Sequence, residues 1–71
     1  MKKPIKFSYH AEQRRKQRGI SKLFVIETIR RPEYFKKMPD GRKIAVKTIQ
    51  NRVITVVFVE EENFIKIITV Y

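Results

Sequence analysis

His10 is the one histidine of the sequence, and Arg14 and Arg18 follow it at four-residue steps. On a helix turning about 100° per residue, that spacing sets the imidazole and both guanidiniums on one stripe, with Ala11 beside them. Imidazole is the side chain whose ordinary pKa lies near neutrality, so it can accept a proton at working pH. Guanidiniums hold phosphate oxygens and stabilise charge that builds on them. Together these groups could cleave RNA without a metal. His10 would take the 2′-hydroxyl proton while Arg14 and Arg18 steady the charged phosphorane. General acid–base help of this kind gives about 10²–10⁴-fold. Tyr71 could protonate the leaving oxygen or stack on a base, and Thr69 would add a hydroxyl.

A plainer set of roles is open to the same residues. The arginines could pair with local carboxylates or carbonyls, His10 could be a hydrogen-bonded structural residue, and Tyr71 could close the rim of the core. Charge weighs against full pairing. Seventeen Lys and Arg face seven Asp and Glu, a net of +10, and three of the acids cluster at Glu60 to Glu62. Residues 1–31 hold ten of the cations and two of the acids, so the positive field lies on the amino-terminal half. Such a field attracts polyanions, and the partner classes are RNA, DNA or an acidic protein.

The run RRKQR adds Arg15 and Lys16 to Arg14 and Arg18. Basic clusters more often hold nucleic-acid backbone than catalyse, so a binding module without chemistry is the competing class. Tyr9, Phe24, Tyr34 and Phe35 could stack on bases, although Phe24 and Phe35 also suit a core. A major-groove recognition helix lacks its helix-turn-helix partner pattern. One histidine, no cysteine and scattered acids make no ligand set, so neither metal nor cofactor is expected. Gly19 and Gly41 stand alone and build no phosphate-cradling loop.

Seventy-one residues allow one domain, residues 1–71, with a core near the lower limit for independent folding. Absence of cysteine fits a reducing compartment. VITVVFV (Val53 to Val59) is too short to span a membrane, and MKKPIKF lacks the apolar stretch of a signal peptide. The expectation is a cytoplasmic protein, monomer or homodimer, with no membrane partner.

Ser8 can cap a first helix over about 9–18, which Gly19 ends. Ser21 can cap a second over about 22–31, ended by Pro32. In that second helix Leu23, Val25, Ile26 and Ile29 read as the packing side, with Glu27, Thr28 and Arg31 opposite. Strands follow over about 34–38, 43–50, 52–60 and 64–71, joined by short turns at Pro39 to Gly41, at Asn51 and at Glu60 to Asn63. The expected architecture is α+β, with two helices on one face of a four-stranded antiparallel sheet. Strict alternation in the last strand would set Ile65, Ile67, Thr69 and Tyr71 on the helix side. Arg14 and Arg18 would then lie along the sheet edge, with Lys16 exposed.

HAEQRRKQRGIS (His10 to Ser21) resembles the pattern H-A-x-x-R-x-x-x-R-G-I-S of the short proteins grouped as domain of unknown function 4258. IITVY (Ile67 to Tyr71) resembles the strand that closes members of the same group. These proteins are similar in pattern to the RelE/ParE toxins and to other small metal-independent ribonucleases. The resemblance implies a helix-then-sheet, RelE/ParE toxin-like fold acting on RNA, with an acidic antitoxin as a possible partner. Its matching polar positions are His10, Arg14, Arg18, Thr69 and Tyr71. RelE-type toxins place Lys, Arg and Tyr on or after the sheet and use a polar carboxy-terminal segment. This sequence reaches Tyr71 without one, so the resemblance implies a centre moved to the first helix, or no catalytic centre at all.

Overall fold

The computed structural model describes residues 3–71. In chain order they form β1 (Ile5–Phe7), α1 (Tyr9–Gln17), α2 (Lys22–Arg30), β2 (Tyr34–Lys37), β3 (Lys43–Ile49), β4 (Arg52–Glu60) and β5 (Ile65–Val70). The strands make one sheet in the order β1-β5-β4-β3-β2. The α+β class with two helices therefore holds, but the four-stranded antiparallel sheet does not. The sheet has five strands, and β1 lies parallel to β5, pairing Ile5 with Ile65 and Phe7 with Ile67. Three residues are too few to show a strand's alternation. A parallel pairing between the two ends of the chain also leaves no local turn signal to read.

The rest of the sheet is a meander. β3 and β4 are joined through Gln50 and Asn51, both left-handed at φ 54° and 64°. Two consecutive left-handed residues make the tight turn whose twist suits a hairpin.

Val25 and Ala11 join Ala45, Ile54, Val56, Phe58, Ile67 and Val70 in a single core, so both helices serve the same, inner face of the sheet. In α2 the buried residues are Val25 and Thr28, flanked by half-buried Phe24 and Ile29. The expected packing side is thus rotated: Leu23 is 75% exposed and Thr28 is buried. Thr28 tolerates this because its hydroxyl donates to the Phe24 carbonyl one turn back, at 2.8 Å.

The last strand also departs from strict alternation. β4 and β5 pair Phe58 with Ile67 and Val57 with Thr69, which leaves Ile68 as an extra residue at a bulge. The side-chain phase of β5 flips there. Val70, opposite Val56, takes the core position, while Thr69 and Tyr71 move to the outer face. The expectation that both hydroxyls lie on the helix side is therefore overturned.

Candidate nucleic-acid interface

α1 is built to be held by very little. Its one buried residue is Ala11. The Ser8 hydroxyl accepts from the Ala11 N–H and donates to the Ile68 carbonyl, each at 3.0 Å. The Ser8 N–H donates to the Ile67 carbonyl at 3.1 Å. One serine thus starts the helix, fastens it to β5 and takes up the carbonyl of the bulged residue. At the other end the Arg52 guanidinium donates to the Arg18 and Gly19 carbonyls, where a cation complements the end of a helix.

One flank of α1 is internally paired. Glu12 accepts from Arg15 at 2.8 Å and pairs with Lys22 at 3.3 Å. Arg15 also donates to the Ile20 carbonyl at 3.1 Å, and both it and Lys22 lie over the Phe7 ring. The hydrogen bond from Arg15 holds the Glu12 carboxyl below its usual range. Arg15, expected among the RNA contacts, thus has its guanidinium engaged within the fold.

The helical wheel places His10 and Arg14 on the other flank of Ala11. His10, Lys16 and Arg18 are exposed and Arg14 is half-buried. Among the described residues, no ion pair or side-chain hydrogen bond engages any of the four. The stripe of His10, Arg14 and Arg18 is therefore present, with its charge unspent. Arg14 lies partly under cover, as its stem beside Ala11 requires, whereas Arg18, the C-cap of α1, is exposed.

The outer face of the sheet carries no helix. Val57 is buried at its centre, and Ile44, Val46 and Val59 are half-buried around it. Strand register puts Tyr34 opposite Val46, and Val46 opposite Thr55. Thr55 exchanges backbone hydrogen bonds with Tyr71 at 2.7 and 2.8 Å. Tyr34, Val46, Thr55 and Tyr71 thus form one cross-strand row, and Lys36 and Thr69 stand in the next, with Ile44 and Val57 between them. Lys66, opposite Val59, and Lys6, opposite Lys66, lie on the same face. Sequence reasoning found Tyr71 but missed its alignment with Tyr34. The alternation around the Pro39–Gly41 turn carried that information; the bulge in β5 hid it.

A cleft of about 340 Å³ opens elsewhere, on the inner face beyond α2. Ile5, Ile29, Phe35, Phe58 and Ile65 form its apolar lining. Its rim holds Glu60 between Lys43 at 2.6 Å and Lys3 at 2.9 Å. These hydrogen bonds, Lys43 first, pull the Glu60 pKa down to about 2. None of His10, Arg14, Arg18, Thr69 or Tyr71 lines this cleft.

Among the described residues no three His, Cys, Asp or Glu side chains gather where they could hold a metal ion. No helix among them is long and apolar enough to cross a membrane. No curated protein and no solved structure matches the sequence. Residues 7–71 match the family described as Domain of unknown function (DUF4258), and the chain belongs to that family.

Proposed function

We propose that the protein acts on RNA, holding the phosphate backbone on α1 with Arg14 and Arg18 and cleaving it with His10 as base. The observation that carries this reading is the stripe of His10, Arg14 and Arg18, unpaired among the described residues, on a helix whose opposite flank is engaged by Glu12. A fold that spends Glu12 on Arg15 and Lys22 leaves these cations for an outside anion. In cleavage the 2′-oxygen attacks phosphorus as His10 takes its proton, and the 5′-oxygen departs, its bond to phosphorus breaking as it takes a proton from water. The products are a 2′,3′-cyclic phosphate and a 5′-hydroxyl. The order of helices before an antiparallel meander supports kinship with RelE/ParE toxins, for which an acidic protein encoded beside this one is the matching partner.

A time course on labelled single-stranded RNA in the presence of a chelator tests this. Wild type should leave cyclic phosphate ends, and His10→Ala should cut about 10²-fold more slowly with affinity nearly unchanged. Arg14→Ala should weaken both binding and turnover, because a phosphate contact acts before and during the reaction. Full activity in His10→Ala would remove the assigned base. A second reading, binding without cleavage, is favoured by one observation: among the described residues no side-chain hydrogen bond or ion pair orients the His10 ring, whereas a working base is commonly held by a third group. That reading expects no wild-type cleavage at any enzyme concentration.

A further inference from the structure

We propose that the outer face of the sheet is a stacking platform for the bases of single-stranded RNA, with Tyr34 and Tyr71 as its two anchors. The proposal rests on the RNA reading above and adds where the bases go. Tyr34 is 55% exposed and Tyr71 49% exposed, on the face of the sheet opposite the two helices. Both belong to the row Tyr34–Val46–Thr55–Tyr71. Three inter-strand steps separate them, about 14 Å at the usual strand spacing.

Two exposed phenol rings across a half-buried, mostly β-branched floor suit planar partners with one face free. A base meets that need, and stacking on aromatic side chains is tolerant of sequence because every base has such a face. The charge on the platform selects a polyanion. No Asp or Glu occupies any outer-facing position of β1 to β5, while Lys6, Lys36 and Lys66 do. An acid-free surface on a chain of net charge +10 would repel a second copy of itself. The spacing selects a single strand. Bases within a duplex are stacked about 3.4 Å apart and have no face to offer, so tyrosines about 14 Å apart can hold only bases splayed from one another.

The test is binding of three labelled probes by anisotropy at low salt. They are an eight-nucleotide RNA with 2′-O-methyl groups that block cleavage, the same strand in a duplex, and an abasic ribose-phosphate oligomer of equal length. Wild type should prefer the single strand to the abasic oligomer by about 10-fold, and tyrosine fluorescence should be quenched by the first alone. Tyr34→Ala should lower single-strand affinity by about 10-fold and leave abasic binding unchanged, while Tyr34→Phe should keep both. Arg14→Ala should weaken both equally. If neither single-stranded probe binds wild type, the RNA reading itself fails. If both bind but Tyr34→Ala matches wild type, or wild type shows no quenching, the platform fails and the RNA reading survives. Duplex binding as tight as single-strand binding overturns the platform as well. So does a wild-type dimer in sedimentation equilibrium that Tyr34→Ala dissociates, which would assign the face to a second copy.

Discussion

Ser8 shows how much a single side chain can do in a small protein. Its hydroxyl both caps α1 and holds the Ile68 carbonyl. Ser8→Ala should therefore destabilise the fold by about 1–2 kcal/mol, toward the upper end for a lost cap. Lys16→Ala, at an exposed and unpaired position, should change stability by less than about 0.5 kcal/mol. Urea unfolding of the two variants checks both, and the reverse order would mean that α1 is held by other contacts. Ser8, Ser21 and Gly19 were legible as helix limits because a cap acts within one turn of its own residue. Arg15 was not. Glu12, three residues before it, is a helical partner that Arg14 lacks, but the Ile20 carbonyl and the Phe7 ring that complete its setting lie outside the run RRKQR.

At the scale of elements, phase decides more than composition does. The helices and the meander were legible because apolar spacing and turn residues are local signals. The bulge at Ile68 was not, since alternation reads smoothly through it and only the pairing with β4 reveals the extra residue. A pair of near-isosteric exchanges exposes the difference. Val70→Thr places a hydroxyl in the core and should cost about 1–3 kcal/mol. Thr69→Val, on the outer face, should be nearly neutral. Strict alternation from Ile65 expects the opposite ranking, so thermal unfolding of the two variants decides the phase of β5. The same flip separates the expected helix-side site into two surfaces, with His10, Arg14 and Arg18 on α1 and Thr69 and Tyr71 on the outer sheet face.

Across the whole molecule the acids are placed where the fold needs them. Glu60 holds Lys3 and Lys43, Glu27 holds Lys47, and Glu12 holds Arg15 and Lys22. The three carboxyls all titrate below their usual range, each chiefly through its closest hydrogen-bonded cation. A carboxyl with a lowered folded pKa stabilises the fold above its ordinary value and loses that effect as pH falls. For Glu60 the window runs from 4.5 down to about 2. Glu60→Gln should be less stable than wild type at pH 6, and the gap should close across that window. A constant gap in thermal unfolding between pH 6 and pH 2 would show that the two ion pairs add nothing. The unpaired cations set the salt response instead. If about four of them meet phosphates, RNA affinity should fall with a log–log salt slope of roughly −3, measurable by titration. The net charge and its concentration in the amino-terminal half were readable from residue counts, but which cations remain free was not, because pairing joins residues far apart in the chain.

The parallel pairing of β1 with β5 has a consequence in time. Ile5 and Ile65 are register partners sixty positions apart, so the contact between them closes a loop that spans most of the chain. Loop closure of that length is costly until other contacts have shortened it. The β3–β4–β5 meander, joined by tight turns, can form early, whereas β1 must wait for β5 to exist. On a ribosome, α1 leaves the exit tunnel long before the strand that anchors its serine has been made. Folding should thus be limited by a late step in which β1 and α1 dock together on a finished meander, a closure slower than that of the local hairpins.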